Sequence, residues 1–148
     1  FDALLKPRHL RRLTAVLERH PQLRVVIDHA AKPAIGGDAD AAWRRDIAAV
    51  AQFPNVACKL SGLVTEAPAN WTVEHLRPYA EHLLTCFGAG RLIWGSDWPV
   101  LNLAADYGRW IATSGQLMAG LDPSAQSRVF GGNAVDMYLS HRGKAIAC

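Results

Sequence analysis

The sequence has few of the residues that mark several classes of protein. It contains three cysteines in 148 residues, Cys58, Cys86 and Cys148, and no two of them form a CxxC pair. This spacing speaks against a disulfide framework or a cysteine zinc cluster and predicts buried or incidental thiols in a reducing, cytoplasmic compartment. No run approaches the roughly 18 consecutive apolar residues of a membrane span, so we expect no membrane partner.

The sequence begins without a methionine and contains no glycine-rich phosphate loop, and its first residues predict no signal peptide. It begins at Phe1 and runs directly into a charged helical pattern, so we expect a chain cut from a longer protein. The formal net charge is +3. The arginines responsible are spread around a helix and a turn rather than clustered on one face, which is typical of a solvated surface and does not favour a nucleic-acid partner.

What is present is an alternation of strand and helix patterns. Strands are predicted at 1–5, 24–30, 55–60 and 91–96. Helices are predicted from Pro7 to His20, from a cap at Asp38 or Asp40 to Pro54, at 73–87, around 106–114, after Asp122 and around 133–139. The alternation predicts an α/β fold with a parallel sheet, either open and doubly wound or closed as a barrel. We expect one domain at 1–139 and a frayed tail at 140–148.

Polar residues recur where three of the predicted strands end. Strand side chains alternate between faces, and one face of each strand then ends in a polar residue. These predicted inward sets are Val25, Ile27 and His29; Ala57, Lys59 and Ser61; and Ile93, Gly95 and Asp97. Active sites of barrel enzymes lie at the carboxyl ends of the strands. We therefore expect the polar members of these sets to converge there.

Each of these residues also has an ordinary structural explanation. His29 could be a hydrogen-bonded structural residue, Asp97 could cap a turn, and Lys59 could extend to solvent. Their shared face on successive strands favours a site. A histidine and an aspartate can hold a divalent metal. Alternatively, Asp97 can act as a general base on water while His29 and Lys59 polarise a carbonyl group. Either arrangement suits hydrolysis of an ester or amide-like bond.

Five segments carry a resemblance to a known family. They are FDALL at 1–5, VVIDHAAKP at 25–33, NVACKLSGLVTEA at 55–67, FGAGRLIWGSDWPV at 87–100 and FGGNAVDMY at 130–138. In this combination they resemble the amidohydrolase-2 branch of the amidohydrolase superfamily. Within it, they are similar to metal-dependent hydrolases of the fuconolactonase and 2-pyrone-4,6-dicarboxylate lactonase type. The resemblance implies the C-terminal half of a TIM (β/α)₈ barrel, with strands five to eight.

The resemblance also implies roles for individual residues. Asp97 corresponds to the strand-eight aspartate that activates water, His29 to the site histidine, and Lys59 to a lysine near the substrate. Ser61 and Trp98 are further candidates for substrate binding. His29 and Asp97 would be two ligands of an incomplete metal site, because the family completes its site with a His-x-His pair that this sequence lacks. We expect one zinc-like divalent metal in the complete enzyme and none tightly bound to this chain.

These observations predict a lactonase acting on a small sugar-derived or carboxylated lactone. A metal-dependent decarboxylase of the same superfamily and a non-catalytic half-barrel interaction module are the alternatives. The isolated chain is expected to be inactive. A half-barrel would leave two open strand edges, and its inward residues, predicted to include Val25, Ile27 and Ile93, would lose their opposite wall. Pairing with a missing N-terminal half or with a second copy is therefore expected.

Overall fold

The computed structural model describes residues 1–36 and 41–140. Its strands are β1 (Asp2–Ala3), β2 (Val25–Ile27), β3 (Val56–Leu60) and β4 (Leu92–Trp94). They form one parallel sheet in the order β1-β2-β3-β4. The helices are α1 (Leu10–Arg19), α2 (Ala41–Ala51), α3 (Val73–Phe87), α4 (Tyr107–Leu117), α5 (Pro123–Ser127) and α6 (Asn133–Tyr138). The predicted alternation and the parallel sheet are confirmed.

Helix boundaries follow local signals in the sequence. α1 ends just before Pro21, since the residue before a proline disfavours helical geometry. Gly88, with a φ of +63°, ends α3. The side chains of Asp106 and Asp122 accept backbone hydrogen bonds at the starts of α4 and α5. These caps explain why helix ends are readable from the sequence alone.

Two predictions fall outside the described residues. The cap of α2 at Asp38 or Asp40 lies in the gap at 37–40, and residues 141–148 of the predicted tail are also not described. Within the described ranges, no helix is both long enough and apolar enough to cross a membrane.

The outer face of the sheet is apolar and packs against the helices. The fully buried strand residues on this face are Val25, Ile27, Val56, Cys58, Leu60 and Leu92. Helix residues in the same cluster include Leu10, Leu17, Trp43, Ile47, Leu76 and Leu83. Burial of apolar side chains is the main stabilising contribution to a fold of this size. The outer face therefore holds the four strand-helix units together.

Part of the inner face is apolar. There Val26, Ala57 and Ile93 form a separate small cluster, and Ala134 and Met137 of α6 pack against it. All three strand residues are at most 3% exposed. α6 therefore provides a floor for this side of the sheet.

This arrangement corrects the predicted inward set of the second strand. Val25 and Ile27 point toward the helices, whereas Val26 points inward. The prediction was wrong because it extended the strand to His29, whereas β2 ends at Ile27. The sequence also predicts that Val25, Ile27 and Ile93 lose the opposite wall of the core. This prediction is wrong, because Val25 and Ile27 face the helices and Ile93 lies against α6.

Candidate active site

His29 reaches the inner side of the sheet through a left-handed turn. The φ angles of residues 29–32 lie between 51° and 59°, although none of them is glycine. Such conformations persist only where the surroundings fix them. Here the indole nitrogen of Trp43 donates a 2.8 Å hydrogen bond to the Ala30 carbonyl, and both Ala30 and Ala31 are fully buried. The packing of α2 thus helps to hold His29 in place.

Three of the residues predicted from sequence meet at the carboxyl ends of the strands. Nε2 of His29 lies 3.5 Å from Oδ1 of Asp97, and Nδ1 of His29 lies 2.8 Å from the hydroxyl of Ser61. The predicted approach of His29 and Asp97 is confirmed. Asp97 follows β4, which ends two residues earlier than predicted, and has a φ of +58°. It too is directed by a turn and not by strand alternation alone.

Two glycines make room for this cluster. A Cβ atom at Gly62, whose φ is +62°, would lie 2.7 Å from the His29 ring. A Cβ atom at Gly95 would lie 3.3 Å from Cβ of Ser61. Real Cβ contacts are not found at the first of these distances, so a side chain at Gly62 would displace the imidazole. The second glycine allows the close approach of β4 to Ser61.

The hydrogen bond with Ser61 is compatible with either tautomer of neutral His29, and each tautomer supports a different use of the ring. A neutral imidazole carries one ring proton. When Nδ1–H donates to Ser61, Nε2 presents a lone pair toward Asp97, as a metal ligand requires. When Ser61 donates to Nδ1, Nε2 carries the proton and can donate to a substrate oxygen. Both uses of His29 predicted from the sequence are therefore compatible with this geometry.

Burial governs the charge state of the cluster. It lowers the pKa of His29 below its ordinary value, while the carboxylates of Asp97 and Asp28 partly offset this effect. Neutral imidazole is thus favoured near pH 7. Oδ2 of Asp97 is buried and has no hydrogen-bond partner among the described residues. An unpaired buried carboxylate oxygen is costly, and a proton or a bound cation would satisfy it.

A second polar layer lies below this cluster on the inner face. The Lys59 ammonium lies 2.6 Å from Asp28 and 3.4 Å from Asp2. Burial disfavours the charged form of Lys59, but the hydrogen bond and charge of Asp28 outweigh it and raise its pKa above the ordinary value. Lys59 is therefore a fixed cation within the protein. The alternative that it extends freely to solvent is wrong.

A comparison with protein families identifies the chain. A family model described as Amidohydrolase matches residues 1–139. The chain belongs to the amidohydrolase family.

Two curated relatives of this amidohydrolase are named L-fucono-1,5-lactonase. The protein from Burkholderia ambifaria is 51% identical over 146 residues, which cover 96% of this chain and 50% of that protein. The protein from Burkholderia multivorans is 36% identical, covering 93% of this chain and 50% of its own length. This amidohydrolase therefore spans about half the length of the curated relatives that it matches.

A solved structure shows the same proportion. An amidohydrolase from Burkholderia multivorans with bound zinc superposes with a TM-score of 0.87 at 36% identity, covering 93% of this chain and 51% of that one. Its family fold is the TIM barrel, so the four strand-helix units correspond to a half-barrel. The predicted fold class is confirmed.

Some candidate site residues of this amidohydrolase are predicted from the sequence and others are not. Trp98 follows Asp97 and is 68% exposed at the upper rim, whereas Ser61 is buried with its hydroxyl on His29. Asp28 and Asp2 were missed. Strand alternation could have found them, because Asp2 pairs in register with the inward residue Val26, and Asp28 lies two residues beyond that valine.

Proposed function

We propose that this amidohydrolase chain supplies half of the catalytic site of a lactonase that opens a sugar-derived lactone. The observation that carries the proposal is the approach of His29 and Asp97 to 3.5 Å at the carboxyl ends of parallel strands. The names of the two Burkholderia relatives support a lactone as substrate. Because the chain spans half of those relatives, the activity is proposed for the complete barrel, and the chain alone is expected to be inactive.

Asp97 is the proposed general base. Its carboxylate, which lies beside His29 Nε2, takes a proton from water as the water oxygen attacks the lactone carbonyl carbon. The bond from this carbon to the ring oxygen then breaks. Protonated Asp97 returns the proton to the leaving oxygen, and the product is the open hydroxy acid. One water is consumed, and the carboxylate is regenerated.

His29 is proposed to stabilise the negative charge that develops on the carbonyl oxygen. With Ser61 donating to Nδ1, the Nε2–H of His29 faces the space beside Asp97 and can donate to that oxygen. Lys59 is proposed to bind an oxygen of the substrate from the lower layer. Trp98 is proposed to contact the substrate from the rim, and Ser61 to act on the reaction through His29.

In the other tautomer of His29, with Nδ1–H donating to Ser61 and Nε2 unprotonated, the upper cluster instead fits a divalent metal. His29 Nε2 and the unpaired Asp97 oxygen are the residues that would hold it, and a metal there would make a bound water more acidic. Among residues 1–36 and 41–140, no group of three or more His, Cys, Asp or Glu side chains is placed to bind a metal. Catalytic zinc usually has three protein ligands. The remaining ligands are therefore proposed to come from the other half of the barrel.

Metal analysis tests this division of ligands. After dialysis, we expect the chain alone to retain far less than one zinc per molecule. The complete protein should retain a divalent metal, and His29→Ala should weaken the binding of that metal. His75→Ala, at the start of α3, serves as the control. One zinc retained by the isolated chain would show that the ligand set has been misassigned.

The charges of the inner face favour a neutral, hydroxylated lactone over a carboxylated one. Asp2, Asp28 and Asp97 contribute three carboxylates, and Lys59 already contacts the first two of them. A carboxylated substrate would find no unpaired ammonium in this layer and would be repelled by the excess negative charge. Hydroxyl groups can instead donate to these carboxylates and accept from Lys59.

Hydrolysis assays on the complete protein test the proposed function. Sugar-derived 1,5- and 1,4-lactones and a pyrone dicarboxylate lactone would be compared by titrating the acid released. We expect turnover of the sugar lactones, and Asp97→Asn should lower kcat by about 10²–10⁴-fold. Asp106→Asn, which keeps an acceptor at the cap of α4, should leave kcat unchanged. Absence of lactone hydrolysis, or ordinary turnover by Asp97→Asn, would contradict the proposal.

A partner is proposed for the open side of the half-barrel. In the described sheet, β1 and β4 each have one neighbouring strand, so each presents an unpaired edge. Exposed apolar side chains flank both edges, with Phe1 and Leu4 at β1 and Trp98 and Leu103 after β4. We propose that a further four strand-helix units cover these edges. Sedimentation of the isolated chain at micromolar concentration should show association. A stable monomer that melts cooperatively and binds no hydrophobic dye would contradict this proposal.

A further inference from the structure

The last helix places a tyrosine on the inner face of the sheet. Tyr138, at the end of α6, donates a hydrogen bond from its hydroxyl to Oδ1 of Asp2. The Lys59 ammonium lies 5.6 Å from the centre of the Tyr138 ring and 3.4 Å from the same Asp2 oxygen. One side chain near the end of the described chain therefore contacts both a carboxylate and an ammonium of the lower polar layer.

Contacts that do not involve Tyr138 fix the position of α6. Nδ2 of Asn133 donates to the carbonyl of Leu92 at 2.6 Å, which ties the start of the helix to β4. The Arg24 guanidinium donates to the carbonyl of Met137 at 3.3 Å, which ties its other end to the chain just before β2. The helix should stay docked when the hydroxyl of Tyr138 is removed.

The same contacts restrict the ammonium of Lys59. An ammonium has three N–H donors, and the carboxylates of Asp28 and Asp2 can take two of them. Burial and the hydrogen bond to Asp2 raise the pKa of Tyr138 to about 12. The phenol is therefore a neutral donor at physiological pH, and it keeps Asp2 oriented as an acceptor. The Tyr138 hydroxyl also accepts a hydrogen bond from Lys59, so Asp28, Asp2 and Tyr138 together hold the ammonium.

We propose that Tyr138 is a positioning residue for Lys59. Its hydroxyl orients Asp2 and accepts from Lys59, and its ring bounds the ammonium on the side of α6, so that the positive charge is held in one place toward the substrate. The inference rests on the proposed lactonase function, because it presumes that Lys59 binds substrate. It also makes α6 part of the substrate site and not only a floor for the sheet.

Steady-state kinetics of Tyr138→Phe in the complete protein tests this role. The substitution keeps the ring and removes the hydroxyl. With a sugar lactone, we expect KM to rise about three- to tenfold, as loss of one hydrogen bond allows, while kcat stays within about twofold. Tyr107→Phe is the matched control, since Tyr107 is half exposed and its ring packs on Trp94. The control should leave both constants unchanged.

A second variant changes Asp2, the other partner in the hydrogen bond with Tyr138. Asp2→Asn should raise KM to a similar extent, and the double variant should be little worse than either single one, because the two residues act as a pair. An unchanged KM in Tyr138→Phe, or fully additive effects in the double variant, would overturn the positioning role while lactone hydrolysis persists. Failure of the unmodified protein to hydrolyse any lactone would instead overturn the proposed function, and the positioning role with it.

Discussion

The two faces of the sheet differ in what their residues do. On the outer face, the strand residues from Val25 to Leu92 are apolar, fully buried and continuous with one helix-packed core. On the inner face, a small apolar cluster lies at the bottom, the Lys59 layer lies above it, and His29 and Asp97 lie at the top. Side chains that alternate along the same strands therefore divide stability and chemistry between them.

This difference explains why the site is built from turns and glycines. An outer residue only has to be apolar and to fit its space. An inner residue must present a particular atom, such as His29 Nε2, at a particular place. The left-handed turn at 29–32 and the room left by Gly62 serve that second requirement.

The largest effect is expected when a residue of the outer face is replaced, and it is compared with the same change in the adjacent residue of the inner face. Leu92→Ala should lower the free energy of unfolding by about 2–5 kcal/mol, because it opens a cavity in a fully buried core. Ile93→Ala, one residue along the same strand, should cost clearly less, since its cluster is small and lies beside an open pocket of about 200 Å³. Urea unfolding measures both. Equal losses would remove the proposed division between the faces.

A pair of glycines separates backbone strain from damage to the site. Gly62→Ala should lower kcat/KM of the complete protein about 100-fold, because its Cβ would displace His29. Gly88 has nearly the same φ but no atom within 4 Å of its added Cβ, so Gly88→Ala should reduce stability without changing kcat/KM. Similar kinetics for the two variants would show that His29 has room to adapt.

A pair of buried serines compares hydrogen bonds on the two faces. Ser61→Ala should lower activity or metal affinity about 10- to 100-fold, because partners that orient a functional histidine have effects of this size. Ser114→Ala removes a hydroxyl that bonds Trp94 on the outer side. It should destabilise the fold by about 1 kcal/mol while leaving kcat/KM intact. If Ser61→Ala lowered only the melting temperature and left activity and metal affinity unchanged, the role of Ser61 in orienting His29 would be contradicted.

The smallest expected effect concerns the upper rim. Trp98→Ala should change the free energy of unfolding by no more than about 0.5 kcal/mol, since the side chain is largely exposed. It should nevertheless raise KM for the lactone a few-fold if Trp98 contacts substrate as proposed. Leu103→Ala, which removes another exposed side chain of the same loop, is the control. An unaffected KM in Trp98→Ala would assign this indole to the interface with the other half of the barrel.

Much of this architecture follows from local sequence. The order of strands and helices, the caps at Asp106 and Asp122 and the end of α3 at Gly88 all agree with patterns readable within a few residues. The approach of His29 to Asp97 also followed, because parallel strands bring their carboxyl ends to one edge of a sheet. These features depend on periodicity, capping and strand direction, and each of those is encoded locally.

The tertiary structure decided how the site atoms are presented. Strand alternation assigned His29 to the inner face for the wrong reason, since four left-handed residues, held by Trp43 and by the space at Gly62, turn it inward. The pairing of Lys59 with Asp28 and Asp2, and the arrival of Tyr138 from the last helix, join residues that are up to 136 positions apart. Such contacts depend on packing between distant elements: strand alternation can place Asp2, Asp28 and Lys59 on one face, but it does not specify which side chains meet.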